Sequence, residues 1–194
     1  MDARLRRRIR IVALANITYF GFEFLVARRI GSVSLFADSI DFLEDASVNA
    51  LILMAFGWSS SRRAIVGKAL AGILLVPGIA TLWTAWHKFG TPVPPSPTLL
   101  SLAGFGALVI NLSCALLLAP YRAHGGSLTK AAFLSARNDA LANIAILVAA
   151  GVTWYTASAW PDLAVGLGIA AVNADAAREV YFAARDEHLA NARA

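Results

Sequence analysis

The sequence predicts an all-α integral membrane protein with six transmembrane helices. Of its 194 residues, 58% are hydrophobic, a share well above that of soluble domains. Six apolar stretches each approach the ~20 residues that a helix needs to cross a bilayer. Most basic residues lie at the ends of these stretches, as topology signals do. A water-soluble domain of this size could not bury so much apolar surface.

The first two helices are separated by a short turn. Residues 1–10 form a basic segment with five arginines ahead of helix 1. Arg28, Arg29 and Gly31 are expected to end this helix. Helix 2 then continues to a turn rich in serine and arginine at residues 59–63.

Helices 3 and 4 flank a loop rich in proline. Helix 3 contains Pro77, which is expected to kink it. Trp83 and Trp86 lie where an interfacial aromatic belt is expected. Residues 88–98 contain four prolines and are predicted to be non-helical. Helix 4 follows this loop.

The last two helices complete a single six-helix transmembrane domain. Glycines at 125 and 126 separate helices 4 and 5, and residues 160–162 begin helix 6. Residues 181–194 are predicted to be a polar helical tail. The six predicted spans are residues 9–29, 32–57, 64–87, 99–119, 128–153 and 161–180.

The distribution of basic residues predicts that both termini are cytoplasmic. Thirteen Lys and Arg residues lie on the side of the termini: Arg4, Arg6, Arg7, Arg8, Arg10, Arg62, Arg63, Lys68, Arg122, Lys130, Arg178, Arg185 and Arg193. Three lie on the other side: Arg28, Arg29 and Lys88. The excess of positive charge marks the cytoplasmic side, so we expect a multi-pass protein of the plasma or inner membrane.

Helices 2 and 5 share a sequence pattern. Residues 45–53 and 139–147 both read D-A-x-x-N-x-x-I-L, and each is preceded by an asparagine 28 or 29 residues earlier. Helices 1–3 and 4–6 are therefore predicted to be a 3+3 inverted repeat, a common plan in transporters with a midplane site. Chance similarity between alanine-rich helices is the alternative.

Helix 2 carries acidic residues at membrane depth. At 100° per residue, Asp38, Asp41, Asp45 and Asn49 fall on one stripe, whereas Glu44 lies at its edge or off it. A carboxylate inside a membrane is costly and usually marks an ion or proton path. The stripe is therefore the first candidate for a functional site.

Two pairs of polar residues could together form a metal site. Asp41 and Asp45 are one helical turn apart on helix 2, and so are Ser135 and Asp139 on helix 5. If the two helices pack together, these four residues supply the four ligands that a small divalent cation needs. Hydrogen bonding between helices, without an ion, is the alternative role.

The chemistry of these ligands limits the ion. All four donors are oxygen, which favours harder ions such as Mn²⁺, although oxygen also binds Zn²⁺. The candidate ions are Mn²⁺ and Zn²⁺, followed by Fe²⁺, Co²⁺ and Cd²⁺, and no bound cofactor is expected. Three buried carboxylates cannot all stay charged without an ion. Binding of a metal should therefore displace protons.

Other polar residues in the helices could line the ion path or support the ligands. This set comprises Asp38, Asn49, Asn138, Asn143 and Glu23. For the asparagines, joining the membrane helices is an equal alternative. Asp38 and Glu23 have similar predicted depths. They could form an outer vestibule or share a proton.

At these residues the chain resembles the transmembrane domain of the cation diffusion facilitator family. The resemblance runs through Gly31-Ser32-x-Ser34-Leu35-x-Ala37-Asp38-x-x-Asp41-x-x-x-Asp45, a pattern typical of that family's second helix. It continues through Ser135-x-x-x-Asp139 and Trp160-x-Asp162 and covers nearly the whole chain. The resemblance implies a homodimeric exporter of divalent metal from the cytoplasm in exchange for protons, with Asp41, Asp45, Ser135 and Asp139 as its transport site.

The sequence departs from that family at three places. Ser135 stands where zinc-transporting members often have histidine, and the loop at residues 58–68 has no histidine cluster. The roughly 14 residues that follow helix 6 are too few for the family's cytoplasmic domain. We therefore expect a homodimer formed through the transmembrane helices. Glycines that could allow close contact between helices are Gly72, Gly78, Gly166 and Gly168.

Two functions from different classes are consistent with these features. The first is a proton-coupled metal transporter. The second is a membrane metal sensor, or a subunit of a larger membrane complex, that does not transport. An enzyme is not expected, because no nucleophile–base pair and no cofactor motif lies at membrane depth. No nucleic-acid partner is expected, because the basic residues are explained by topology.

Overall fold

The computed structural model describes residues 3–54, Ile79, 81–121 and 126–172, and for residues 126–131 it describes the backbone alone. Every regular element in these ranges is helical. The elements are α1 (Ala3–Ile30), α2 (Val33–Met54), α3 (helical residues 81–90), α4 (Pro97–Leu118), a 3₁₀ turn (Ala119–Tyr121), α5 (Gly126–Thr156) and α6 (Trp160–Val172).

The first helix begins six residues earlier than its predicted start at residue 9. Leu5, Ile9 and Val12 explain the extension, because they are buried on one face at helical spacing. The arginines between them occupy the rest of the turn without interrupting that face. The basic segment is thus part of α1 and packs against the rest of the protein.

The proline-rich loop is shorter than the predicted range of residues 88–98. α3 continues through residue 90, and α4 begins at Pro97. Proline is tolerated in the first turn of a helix, where its missing N–H has no partner to lose. The amide of Leu100 donates to the Ser96 carbonyl oxygen at 2.9 Å and closes that first turn. Pro77 and the predicted features within residues 55–78 and 173–194 lie outside the described residues.

The turn between α1 and α2 depends on Gly31. Its φ is +64°, a left-handed conformation that glycine adopts without steric cost. The amide of Ser32 donates to the Ala27 carbonyl oxygen at 3.1 Å, as in a Schellman helix end. This tight turn places the beginning of α2 directly beside the end of α1.

The helices pack as two pairs, α1 with α2 and α4 with α5, which contact each other through α1–α4 and α2–α5. The α1–α4 approach is close at Gly106, where an added Cβ would overlap the Tyr19 side chain. The Tyr19 hydroxyl donates to the Ala103 carbonyl oxygen at 2.6 Å. The absence of a side chain at Gly106 therefore lets α1 and α4 meet.

Three of the described helices are long and apolar enough to cross a membrane: Ala3–Ile30, Pro97–Tyr121 and Ala132–Thr156. Large apolar side chains such as Leu25, Leu116 and Val148 are exposed on their outer faces, as expected for contact with lipid. α2 is of similar length, with 22 residues, but carries four acidic residues. The protein is thus an all-α membrane protein, as the composition predicts.

Candidate functional site

The polar stripe predicted on α2 faces the interior of the helix bundle. Asp38, Asp41, Asp45 and Asn49 are at most 7% exposed, whereas Glu44 is only partly buried. The helical period places the first four on one face and turns Glu44 away from it. The structure thus gives α2 a continuous buried acidic face, with its polar groups removed from lipid.

Asp45 joins α2 to both α1 and α5. The Ser135 hydroxyl donates to Asp45 Oδ1 at 2.9 Å, and the Asn16 side-chain amide donates to Asp45 Oδ2 at 3.4 Å. Asn49 donates to the Asp45 backbone carbonyl oxygen at 2.8 Å, so its amide is engaged within α2. Two of the four predicted metal ligands, Asp45 and Ser135, are therefore in direct contact.

Asp139 and Asp41 lie at the same junction. Asp139 is within hydrogen-bonding reach of Ser135 and within electrostatic range of Asp45. Asp41, 7% exposed, is within electrostatic range of Asp139. Within the described ranges, however, no three His, Cys, Asp or Glu side chains are arranged as a metal-binding group. The helices bring the predicted ligands together without closing three carboxylates around one point.

A second buried network extends along the same helices. Asn143 donates to Asp38 Oδ2 at 2.6 Å, and its own side-chain oxygen accepts a hydrogen bond from Asn111 at 2.9 Å. Glu23 on α1 lies within hydrogen-bonding reach of Asp38. All four side chains are at most 2% exposed. Asp38, Asn143 and Glu23 therefore form one polar cluster. The proximity of Asp38 and Glu23 agrees with their similar predicted depths.

Asn138 does not lie in this interior. Its side chain is exposed and accepts a hydrogen bond from Arg137 at 3.2 Å. The physical reason is the helical period, because a step of 100° from Asp139 carries residue 138 off the buried face. The structure therefore does not bring Asn138 together with the other polar side chains, and its role in the ion path or in supporting the ligands stays a prediction.

A buried ion pair between α3 and α6 was not predicted from the sequence. Lys88 Nζ lies 2.9 Å from Asp162 Oδ2, and the two side chains are 8% and 0% exposed. Lys88 also donates to the Gly31 carbonyl oxygen. The sequence places Lys88 only in a loop and in the count of basic residues, because periodicity does not identify a partner 74 residues away.

Asp162 also holds the beginning of α2. Its Oδ1 accepts hydrogen bonds from the hydroxyls of Ser32 and Ser34, both at 2.6 Å, and its Oδ2 accepts from the Val33 amide at 2.9 Å. A carboxylate satisfies the free N–H groups of a helix amino terminus and interacts favourably with its dipole. This contact fixes one end of the helix that carries the acidic face.

The comparison with protein families identifies the chain. Residues 9–186 match the model of the cation efflux transmembrane domain. The search of curated proteins gave no significant match. The matched range contains most of α1, all of α2 to α6, the side chains around Asp45 and the polar cluster around Asp38. The chain therefore belongs to the cation efflux family, through that family's transmembrane domain, and is a membrane cation transporter.

Proposed function

We propose that the protein exports a divalent metal cation from the cytoplasm in exchange for protons, through a midplane site formed by Asp41, Asp45, Ser135 and Asp139. The observation that carries this proposal is the 2.9 Å hydrogen bond from Ser135 to Asp45. It joins the two helices that bear the four candidate ligands. Membership of the cation efflux family supports the transport of a cation.

The composition of the proposed site bears on the transported ion. Its donors are carboxylate and hydroxyl oxygens, which suit Mn²⁺ and also bind Zn²⁺, with Fe²⁺, Co²⁺ and Cd²⁺ as further substrates. The ion would draw the carboxylates of Asp41 and Asp139 towards Asp45. The described conformation, in which these groups are neighbours but not a closed group of three, is consistent with such a step.

The burial of the site supports proton exchange. Asp41 and Asp45 are 7% and 5% exposed, and the side chains that donate to the Asp45 carboxylate, Ser135 and Asn16, are neutral. Without a cation, mutual repulsion and desolvation favour protons on the carboxyl groups, and a metal ion replaces these protons. Alternate opening to the cytoplasm and to the outside would then couple metal efflux to proton entry.

The proposed assembly is a homodimer in the plasma or inner membrane, with the transmembrane helices at its interface and both termini in the cytoplasm. Trp83 and Trp86 on α3 are exposed on the protein surface, where they can contact either lipid or a second copy. The basic residues on the side of the termini support the orientation.

The test is a proton-flux assay in proteoliposomes that contain a pH-sensitive dye and an imposed pH gradient. We expect metal-dependent proton flux to fall to the level of protein-free liposomes in Asp45→Ala and in Asp139→Ala, because each loses a ligand and a proton-binding group. Glu44→Ala is the matched control, since it removes a neighbouring carboxylate outside the buried face and should retain flux.

Full flux in both variants would disprove the site assignment. Metal binding by the wild-type protein without any flux, measured by calorimetry on the same preparation, would instead favour a sensor that does not transport. Running the assay with Mn²⁺, Zn²⁺, Fe²⁺, Co²⁺ and Cd²⁺ in parallel identifies the substrate.

A further inference from the structure

Glu23 and Asp38 form a carboxyl pair that the proposed metal site does not use. Both side chains are 0% exposed. Both oxygens of Glu23, and Oδ1 of Asp38, receive no hydrogen bond from the described residues. Polar atoms buried in this way are costly unless something satisfies them. Three such oxygens at one contact between α1 and α2 therefore call for a bound species.

Within the described helices, the surroundings of the pair contain acids and no base. The two carboxyl groups lie within hydrogen-bonding reach of each other. The titratable groups that face them are Tyr19 on α1, Asp41 on α2 and Asp139 on α5. The buried ion pair of Lys88 with Asp162 lies elsewhere. A pair of ionised carboxylates here would have no counter-charge among these groups.

One bound proton would account both for the buried oxygens that receive no hydrogen bond in the described part of the chain and for the missing counter-charge there. It reduces the charge of the pair from −2 to −1, and it converts two facing acceptors into an O–H···O⁻ hydrogen bond, which is among the stronger kinds. We propose that Glu23 and Asp38 bind one proton between them, as a proton site distinct from the metal ligands Asp41, Asp45, Ser135 and Asp139. Any role of this proton in transport rests on the proposed function, but its binding does not.

The asparagine network places the proton on Glu23. Asn143 uses its amide N–H to donate to Asp38 Oδ2 at 2.6 Å, and its oxygen is held by Asn111 at 2.9 Å. This donor stabilises Asp38 as a carboxylate. Asp38 Oδ1 is then available to accept from Glu23. Glu23, which receives no donor from the described residues, is the neutral acid of the pair.

The position of the pair links it to the proposed metal site. Asp38 precedes Asp41 by three residues on α2, and Asn143 follows Asp139 by four residues on α5, so each is about one helical turn from a metal ligand. Movement of α2 against α5 would therefore change the hydrogen bond that holds Asp38. The pair is placed to carry a proton alongside the metal without sharing a ligand with it.

Infrared difference spectroscopy detects the protonated acid directly. With Mn²⁺ at saturating concentration, so that the proposed ligands Asp41, Asp45 and Asp139 are ionised, spectra of the reconstituted protein near neutral pH should show the carbonyl stretch of a buried carboxylic acid. Glu23→Gln should remove that band. Glu44→Gln, which alters an acid outside the cluster, should leave that band unchanged. In Asp38→Asn the band should shift in frequency, because Glu23 keeps its proton and loses a charged acceptor. Asp38→Asn also keeps the test decisive if Glu23→Gln fails to fold.

The second arm of the test compares the unfolding temperatures of two Glu23 variants with that of the wild-type protein. In Glu23→Gln the new side-chain amide imitates the protonated acid and can donate to Asp38, so this variant should unfold at the wild-type temperature, whereas Glu23→Ala should unfold earlier. The proposal is overturned if Glu23→Gln leaves the band unchanged. It is equally overturned if the wild-type protein binds one more Mn²⁺ ion than Glu23→Gln does. Neither readout involves flux, so a failure of the transport proposal remains distinguishable.

Discussion

At the scale of single residues, Ser135 has the greatest influence on the chemistry of the proposed site. It contributes the one donor that is not a carboxylate. Its proton is directed to Asp45 at 2.9 Å, which leaves the lone pairs of its oxygen available to an ion. A neutral hydroxyl is a weaker ligand for Zn²⁺ than an imidazole, so this position bears on the preference among metals.

We predict that Ser135→His increases the affinity for Zn²⁺ relative to Mn²⁺ by about tenfold, roughly 1.4 kcal/mol. The imidazole nitrogen replaces a hydroxyl ligand and suits Zn²⁺ better than Mn²⁺. Competition binding of the two ions to the purified protein measures the ratio. Ser113→His is the control, because Ser113 is an exposed residue of α4 that donates to its own helix. An unchanged ratio in Ser135→His, or an equal change in both variants, would contradict the ligand role of Ser135.

At the scale of elements, the contact between α6 and the beginning of α2 holds the acidic helix in place. Asp162 and Gly166 are one turn apart on α6. Asp162 accepts the amide of Val33, and a Cβ added at Gly166 would lie 2.7 Å from the Val33 carbonyl carbon. The glycine thus allows the close approach in which the carboxylate reaches the helix amino terminus. This inward position also means that Gly166, considered from sequence alone for a dimer contact, lies between helices of one chain.

We predict that Gly166→Ala lowers the free energy of unfolding by about 1–3 kcal/mol, the usual cost of overpacking. The added methyl group meets backbone atoms of Val33 and Ser34, which cannot move as a flexible side chain can. Gly168→Ala is the matched control on the same helix, because nothing lies within 4 Å of its added Cβ. Thermal unfolding in detergent measures both variants. Equal stability of the two variants would show that α6 and α2 do not approach as described.

The elements also show what can and cannot be predicted from sequence. Periodicity predicted the buried stripe of α2, because a fixed rotation per residue determines which side chains share a face. It could not predict the partners of that face on other helices. The repeat pattern relates Asn111 to Asp139, as it relates Asn16 to Asp45. In the structure, Asn111 instead contacts Asn143. Lys88 and Asp162 were likewise not predicted as a pair, since local sequence does not encode which helix ends meet.

At the scale of the whole molecule, the length of α5 bears on the orientation in the membrane. Its 31 residues span about 46 Å at 1.5 Å per residue, which exceeds the ~30 Å hydrocarbon core. The excess is at the amino-terminal end, where Lys130 precedes the apolar span Ala132–Thr156 and Arg137 lies in the second turn of that span. A basic helix end that projects from the membrane is typical of the cytoplasmic side. The same side then holds the arginines at the beginning of α1.

We predict that a membrane-impermeant maleimide labels Thr91→Cys in intact cells and labels Ala3→Cys only after the membrane is permeabilised. Thr91 lies in the exposed loop between α3 and α4, and Ala3 is exposed at the beginning of α1. The single native cysteine, Cys114, is 1% exposed and serves as the unlabelled background. Because each helix reverses the chain, residue 3 and the α3–α4 loop must lie on opposite sides if three helices separate them. Labelling of Ala3→Cys alone in intact cells would place the termini outside and would reverse the direction of metal movement proposed above. Labelling of both positions in intact cells would contradict three membrane crossings between them.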